Sequence, residues 1–133
     1  MTTLSTDLRN AKANQLSAQL GTGAKLVIKD GATTILEFAL ADPALGAASN
    51  GSATLSGVPL TANAVAATVD NTTALTAEFQ TSGGDVKLTE TVGVTGGNQS
   101  ILLNTTTDTN GHPAIALNQP CRVDSYTYTQ PAS

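Results

Sequence analysis

The spacing of apolar residues changes once along this chain, from a helical pattern near the N-terminus to an alternating pattern after it. Thr3 to Leu20 is filled with good helix formers, and Thr3, Ser5 or Thr6 can cap its start. Gly21 supplies a C-terminal stop. The pattern therefore predicts one N-terminal helix, followed by strands from residue 22 onward.

The apolar residues of this helix do not form a single stripe. Leu4, Leu8 and Ala11 share one face, whereas Leu16 and Leu20 drift about 120 to 160° around the axis at 100° per residue. The helix either covers an open face of the chain's own sheet or packs as an arm on a neighbouring subunit. The candidate subunit-contact residues are Leu4, Leu8, Leu16 and Leu20.

Strands with a period of two follow the helix. Lys25 to Lys29 and Thr33 to Ala41 are apolar runs separated by Asp30-Gly31-Ala32, which predicts a hairpin. Ala74 to Gln80 alternates cleanly, so one face of that strand is buried and the other is wet.

Short strand patterns and turn signals recur along the rest of the chain. This arrangement predicts a mainly β fold, an antiparallel β-sandwich or small barrel preceded by one N-terminal α-helix. The expected organisation is a single domain, with a helix or arm over residues 1–21 and a β domain over residues 22–133. Further segments are a strand at Ser52 to Leu60, an ambiguous stretch at Thr61 to Val69, a strand from Val86 to Val94 with Glu90 at the rim, a strand at Ser100 to Asn104, an exposed loop at Thr105 to Pro113 and a last strand at Pro120 to Thr129.

The last strand changes its apolar parity midway. Cys121 and Val123 fall on one side, while Tyr126 and Tyr128 fall on the other. This shift predicts either a bulge near Ser125 or a strand that is apolar on both faces.

The composition includes few of the residues that catalysis and metal binding require. The chain has 22 Thr but one His, one Cys, no Trp and 12% charged residues, so acid–base or metal sites lack their usual side chains. His112 lies in a Gly-Pro turn and is expected to be solvated, and a carboxylate dyad of Glu78 and Glu90 has no aromatic platform beside it. Cys121 is expected to be a small buried or edge thiol. We therefore expect no enzyme, no cofactor and no metal.

The charge and hydropathy of the chain argue against two classes of partner, nucleic acids and membranes. The net charge is −4, and the six basic residues do not cluster as a phosphate-binding stripe would, so we expect no nucleic-acid binding. No apolar run is long enough for a transmembrane helix, and the first twenty residues lack the apolar core of a signal peptide. We expect no membrane partner.

The order of segments resembles a group of small β-rich virion structural proteins of tailed bacteriophages. The resemblance rests on KLVIKDG, on the turn and strand of Asp42 to Leu55, on GGDVKLTE, and on the terminal strand of Val123 to Thr129. It implies a capsid decoration (cement) protein that bridges capsomers, with the major capsid protein and copies of itself, as dimer or trimer, for partners. The implied location is the capsid surface of the virion, after synthesis in the bacterial host cytoplasm. A tail or tail-tip component and a carbohydrate- or receptor-binding module are the alternatives.

Overall fold

The structure is a computed structural model that describes residues 3–68 and 74–131. Within these ranges the chain forms one helix and eleven strands, so the expectation of a mainly β fold with one N-terminal helix is confirmed. The elements are α1 (Thr6–Leu20), β1 (Lys25–Asp30), β2 (Thr33–Ala39), β3 (Ser52–Thr54), β4 (Leu60–Asn63), β5 (Thr76–Gln80), β6 (Val86–Val94), β7 (Ile101–Leu103), β8 (Thr106–Thr107), β9 (Pro113–Ala114), β10 (Pro120–Val123) and β11 (Thr127–Thr129).

Seven strands form one curled sheet in the order β2-β1-β5-β6-β7-β10-β4. The two edge strands approach each other, and just beyond β4 the backbone N–H of Val65 donates to the carbonyl of Ile35 in β2 at 2.8 Å. The sheet is therefore a nearly closed barrel. Closure places the unpaired edges of β2 and β4 against each other, where they are protected from pairing with another chain.

The barrel interior is filled with aliphatic side chains and two phenylalanines. Leu75, Ala77 and Phe79 of the β5 region point inward and are buried, as their alternation predicts. Phe38 enters from β2, so each Phe supplies bulk that the chain otherwise lacks. Leu20 and Ala24 extend the same core at the end of the helix.

The predicted hairpin over Asp30-Gly31-Ala32 is present. β1 and β2 pair antiparallel, with Leu26 opposite Phe38 and Asp30 opposite Thr33. Gly31 has φ of 60°, a left-handed conformation that glycine adopts at little cost.

The last strand is not one strand, so both alternatives for its parity shift are wrong. β10 pairs with β4 in the barrel, and after Val123 the chain leaves that sheet and pairs with β3 as β11. The apolar parity reverses because the two halves face different surroundings. Tyr126, in the crossing segment, is buried with its ring centroid 5.1 Å from that of Phe79.

The segment Thr105 to Pro113, predicted as an exposed loop, is more structured than expected. β8 pairs with β9 to form a two-stranded sheet, and the Asp108 carboxylate accepts hydrogen bonds from the backbone N–H groups of Asn110 and His112. Asx side chains often order turns in this way. Most residues of the segment are nevertheless exposed.

The ambiguous stretch Thr61 to Val69 is divided. Its start belongs to β4, and Ala64 and Thr68 exchange backbone hydrogen bonds with the 115–119 segment. Val69 lies outside the described residues.

β6 and β7 run parallel, unlike the other neighbouring strands of the barrel. The connection between them covers only residues 95–100, much shorter than the helix-bearing crossover that usually joins parallel strands. The side chain of Gln99 lies directly over Gly93, where a β-carbon would overlap it. A larger residue at position 93 therefore requires the Gln99 side chain to move.

We predict that Gly93→Ala destabilises the protein by about 1 to 3 kcal/mol, because the added methyl displaces Gln99 and strains the connection. Chemical denaturation measures this cost. Gly46→Ala is the matched control, because its β-carbon would meet atoms no closer than 3.8 Å. Gly93→Ala combined with Gln99→Ala should cost less than the sum of the single changes, and an additive result would contradict the contact.

Candidate functional site

The helix docks on the β domain through a polar stripe. The side-chain oxygens of Asn10, Asn14 and Ser17 accept hydrogen bonds from the backbone N–H groups of Gly51 (2.7 Å), Ala48 (2.9 Å) and Leu45 (2.9 Å), respectively. These helix residues are spaced i, i+4 and i+7, which places them on one face. A loop that would otherwise leave its donors without partners is thereby tied to the helix.

Arg9 extends this attachment to the C-terminal part of the chain. Its Nε donates to the carbonyl of Gln130 at 3.1 Å, and Gln130 N–H donates to Gly51 at 2.8 Å. The guanidinium lies over Gly51, which has φ of 79° and no room for a β-carbon beneath Arg9. Helix, loop and final strand therefore meet at one point.

The structure separates the four predicted subunit-contact residues. Leu20 is only 2% exposed in the chain's own core, and Leu16 packs partly buried against it. The side chain of Leu20 is already covered by the chain's own core and has no area left for a subunit contact. Leu8 is 45% exposed, and Leu4 and Leu16 are half-buried, so for these three residues the contact stays a prediction.

Two other large apolar side chains lie exposed on neighbouring segments. Val65 is 62% exposed and Leu117 is 59% exposed. Their segments are held together by backbone hydrogen bonds, from Ala64 N–H to Gln119 and from Asn118 N–H to Ala64, both at 2.9 Å. We call Val65 and Leu117 the apolar pair. Contiguous exposed apolar area is typical of surfaces that bind other proteins.

Glu90 is a carboxylate that alternation along β6 places toward the barrel interior. It lies opposite the buried Ala77 on β5 and accepts a hydrogen bond from the hydroxyl of Tyr126. Glu90 is half-buried, consistent with the rim position that its place in the sequence predicts. Burial, followed by the hydrogen bond and the negative charge of Glu90, raises the pKa of Tyr126 far above its ordinary value.

A depression of about 420 Å³ opens beside this carboxylate. Its polar lining includes Glu90, Gln99, His112 and three threonines of β5 and β6: Thr76, Thr89 and Thr91. His112 was expected to be solvated, and it is half-buried at the edge of this depression. Hydroxyl, amide and carboxylate groups suit a polar ligand rich in hydroxyl groups.

A carboxylate dyad of Glu78 and Glu90 does not form. Glu78 is opposite Thr89, one position from the Ala77 and Glu90 pair, so the two carboxylates point to opposite faces of the sheet. Glu78 instead contacts Lys29, with Nζ and Oε1 3.3 Å apart. Across the described ranges, no group of three His, Cys, Asp or Glu residues is arranged to hold a metal ion.

Cys121 is buried, as expected, and burial raises the pKa of its thiol. The sequence reasoning missed the polar stripe, although the i, i+4, i+7 spacing of Asn10, Asn14 and Ser17 was a readable signal. It also missed the apolar pair, because neither residue belongs to a periodic pattern.

Comparisons with known proteins leave the family open. No family model matches this chain, and no curated protein or solved structure is significantly similar to it. None of the helices in the described part of the chain has the length and apolar character needed to cross a membrane.

We predict that stability falls as pH rises above 10, and that Tyr126→Phe removes much of this fall. The unfolded chain releases the Tyr126 proton near its ordinary pKa of 10.0, whereas the folded protein retains it. The unfolded state then binds fewer protons, so the free energy of unfolding decreases by up to about 1.4 kcal/mol per pH unit. Urea denaturation from pH 8 to pH 11 measures the slope.

Tyr128→Phe is the matched control, because it removes a hydroxyl that donates to Gln130 at 3.1 Å and leaves the contact between Tyr126 and Glu90 in place. The Cys121 thiol contributes a decrease of the same sign, but it is common to all three proteins and cancels in the comparison. Equal slopes for the wild type and Tyr126→Phe would contradict the assignment.

Proposed function

We propose that this protein is a structural component of a bacteriophage virion, a capsid decoration protein that stabilises the head by bridging capsomers. The resemblance in segment order supports the virion assignment. The observation that carries the binding role is the apolar pair, Val65 and Leu117, held exposed on the outside of a nearly closed barrel.

A preformed surface suits this task. The backbone hydrogen bonds between residues 64–68 and 115–119 fix the apolar pair before any partner arrives, so little conformational entropy is lost on binding. Each copy contributes a modest apolar contact at about 25 cal/mol per Å² buried. Because a head carries many copies, small contacts sum to a large stabilisation of the particle.

The charge of the chain is compatible with the outer side of a capsid. A net charge of −4 keeps separate copies soluble and disfavours contact with packaged DNA. We propose the major capsid protein as the partner, and no reaction is part of the proposed role.

The number of copies per virion tests whether the protein belongs to the capsid or to the tail. We predict that purified virions contain this chain in numbers comparable to the major capsid protein, measured by quantitative mass spectrometry. About three to twelve copies per particle would instead support the tail or tail tip, where ring symmetry limits the number of subunits. Complete absence from particles would overturn the virion proposal.

A second measurement tests the apolar pair. Val65→Asp and Leu117→Asp should each weaken rebinding of the purified protein to particles that lack it by about tenfold or more, because charges would replace buried apolar area. Val86→Asp is the matched control, since Val86 is 48% exposed on β6. Cosedimentation with particles measures binding, and thermal unfolding confirms that each variant folds. Equal loss in all three variants would contradict a specific contact.

The polar depression favours a second candidate, a carbohydrate- or receptor-binding module. Glu90 and the threonine hydroxyls would accept and donate hydrogen bonds to sugar hydroxyl groups. Under this alternative the purified protein binds host cells or glycans, and Glu90→Gln or changes within Thr105 to Pro113 abolish binding. A glycan array separates the two functions, because decoration requires no binding to glycans.

A further inference from the structure

The outward side of α1 carries a regular stripe that the chain itself leaves uncovered. Leu8, Ala11, Gln15 and Ala18 are all exposed, and we call them the outer stripe. At 100° per residue they lie nearly opposite Ala13 and Leu20, the two residues that the helix buries, and about 110° from the polar stripe of Asn10, Asn14 and Ser17. The helix thus binds its own β domain through buried apolar residues and through polar groups, and it presents the exposed Leu8 to solvent.

The outer stripe has the spacing of a heptad seam. The steps from Leu8 to Ala11, Gln15 and Ala18 are i+3, i+7 and i+10, which are the a and d positions of two heptads. Two alanines permit close approach of a second helix, and a polar Gln at an a position favours one register over its neighbours.

The charged residues on either side of the outer stripe indicate which partner would pack on it. In this heptad frame Asp7 is at g and Lys12 is at e, and both are exposed. In a parallel pair of identical helices, Asp7 of each copy faces Lys12 of the other. In an antiparallel pair, g faces g and e faces e, so these opposite charges do not meet.

Within the described ranges no ion pair of the single chain involves Asp7 or Lys12. Both charges are therefore available to a second copy. Asp7 also lies in the first turn of the helix, where the helix dipole favours a carboxylate.

We infer that the outer stripe of α1 is a self-association surface, on which a second copy of this chain packs its own α1 in parallel, with Asp7 and Lys12 pairing across the contact. The β domains then lie on the outer sides of the helix pair, because each is docked on the opposite face of its helix. The polar stripe and Arg9 hold each helix in place before association.

The seam between the two helices is short, so the affinity of association is expected to be low. Two helical heptads bury far less than the roughly 800 Å² per partner of a stable interface, so the expected dissociation constant is on the order of 100 µM. Copies held side by side on a particle reach high effective concentrations, where such a contact forms readily.

This surface goes beyond the proposed capsid role, because it requires only a second copy and no virion. Failure of association in solution would leave the copy number in particles unaffected, and a wrong virion assignment would leave the helix contact unaffected. The two inferences are therefore tested separately.

Sedimentation equilibrium from about 10 µM to about 1 mM tests association of the full chain. We expect concentration-dependent association of the wild type, and at least a tenfold weaker association for Leu8→Asp. Val86→Asp, an exposed apolar-to-acid change on β6 and not on the outer stripe, should associate as the wild type does. Circular dichroism verifies that the helix forms in each variant.

Charge reversal identifies the pairing itself. Asp7→Lys and Lys12→Glu each place like charges across the parallel contact, so each variant alone should be monomeric at concentrations where the wild type associates. An equimolar mixture should associate again, because opposite charges then meet in both contacts. The lysine introduced at position 7 faces the glutamate introduced at position 12 of the other variant, and Lys12 faces Asp7. General damage to the helix would not be repaired by mixing.

Three results would overturn the inference. The wild type could remain monomeric at about 1 mM, which is well above the expected dissociation constant. Leu8→Asp and Val86→Asp could associate equally well, which would place the contact elsewhere. The mixture of charge-reversed variants could stay monomeric, which would exclude the parallel Asp7–Lys12 pairing.

Discussion

Closure of the seven-stranded sheet is the constraint on which the rest of the molecule depends. The hydrogen bond from Val65 to Ile35 joins the two edge strands, and inward-facing side chains from all sides then share one core. With only two Phe and no Trp, the chain has little bulk to cover an open sheet. A barrel solves this problem because its strands cover one another. The helix, the small sheets and the exposed apolar pair are all positioned by this frame.

The docking of α1 combines buried apolar residues with hydrogen bonds from polar ones. Ala13 and Leu20 are buried, and beside them Asn10, Asn14 and Ser17 accept hydrogen bonds from the loop ahead of β3, while Leu8 faces water. Such bonds fix the loop and the helix together, since each buried backbone donor needs a partner. The consequence for function is a surface whose apolar groups are free to contact other chains. Leu8 on the outward face of the helix is an exposed apolar group that the proposed structural role would use.

Several features were predictable from the residues alone. Ser5 and Gly21 delimited the helix, Asp30-Gly31 marked the hairpin, and the alternation of Leu75, Ala77 and Phe79 identified an inward face. Each depends on neighbours within a few positions. The parity shift around Tyr126 was also visible, but its meaning was not, because a bulge and a change of sheet leave the same local pattern. β11 pairs with β3, which lies more than seventy residues away along the chain, so no local pattern identifies that partner.

The sequence by itself determined the fold class, the helix and the local turns, because periodicity, capping residues and Gly conformations act over a few residues. Only the tertiary structure decided the sheet order, the parallel β6–β7 pair, the burial of Leu20, and the hydrogen bond between Glu90 and Tyr126. It also decided which helix face stays exposed. These features require contacts between segments far apart in the chain, and many arrangements of distant strands satisfy the same local patterns. The physical reason is that long-range pairing is selected by the closure and packing of the whole barrel.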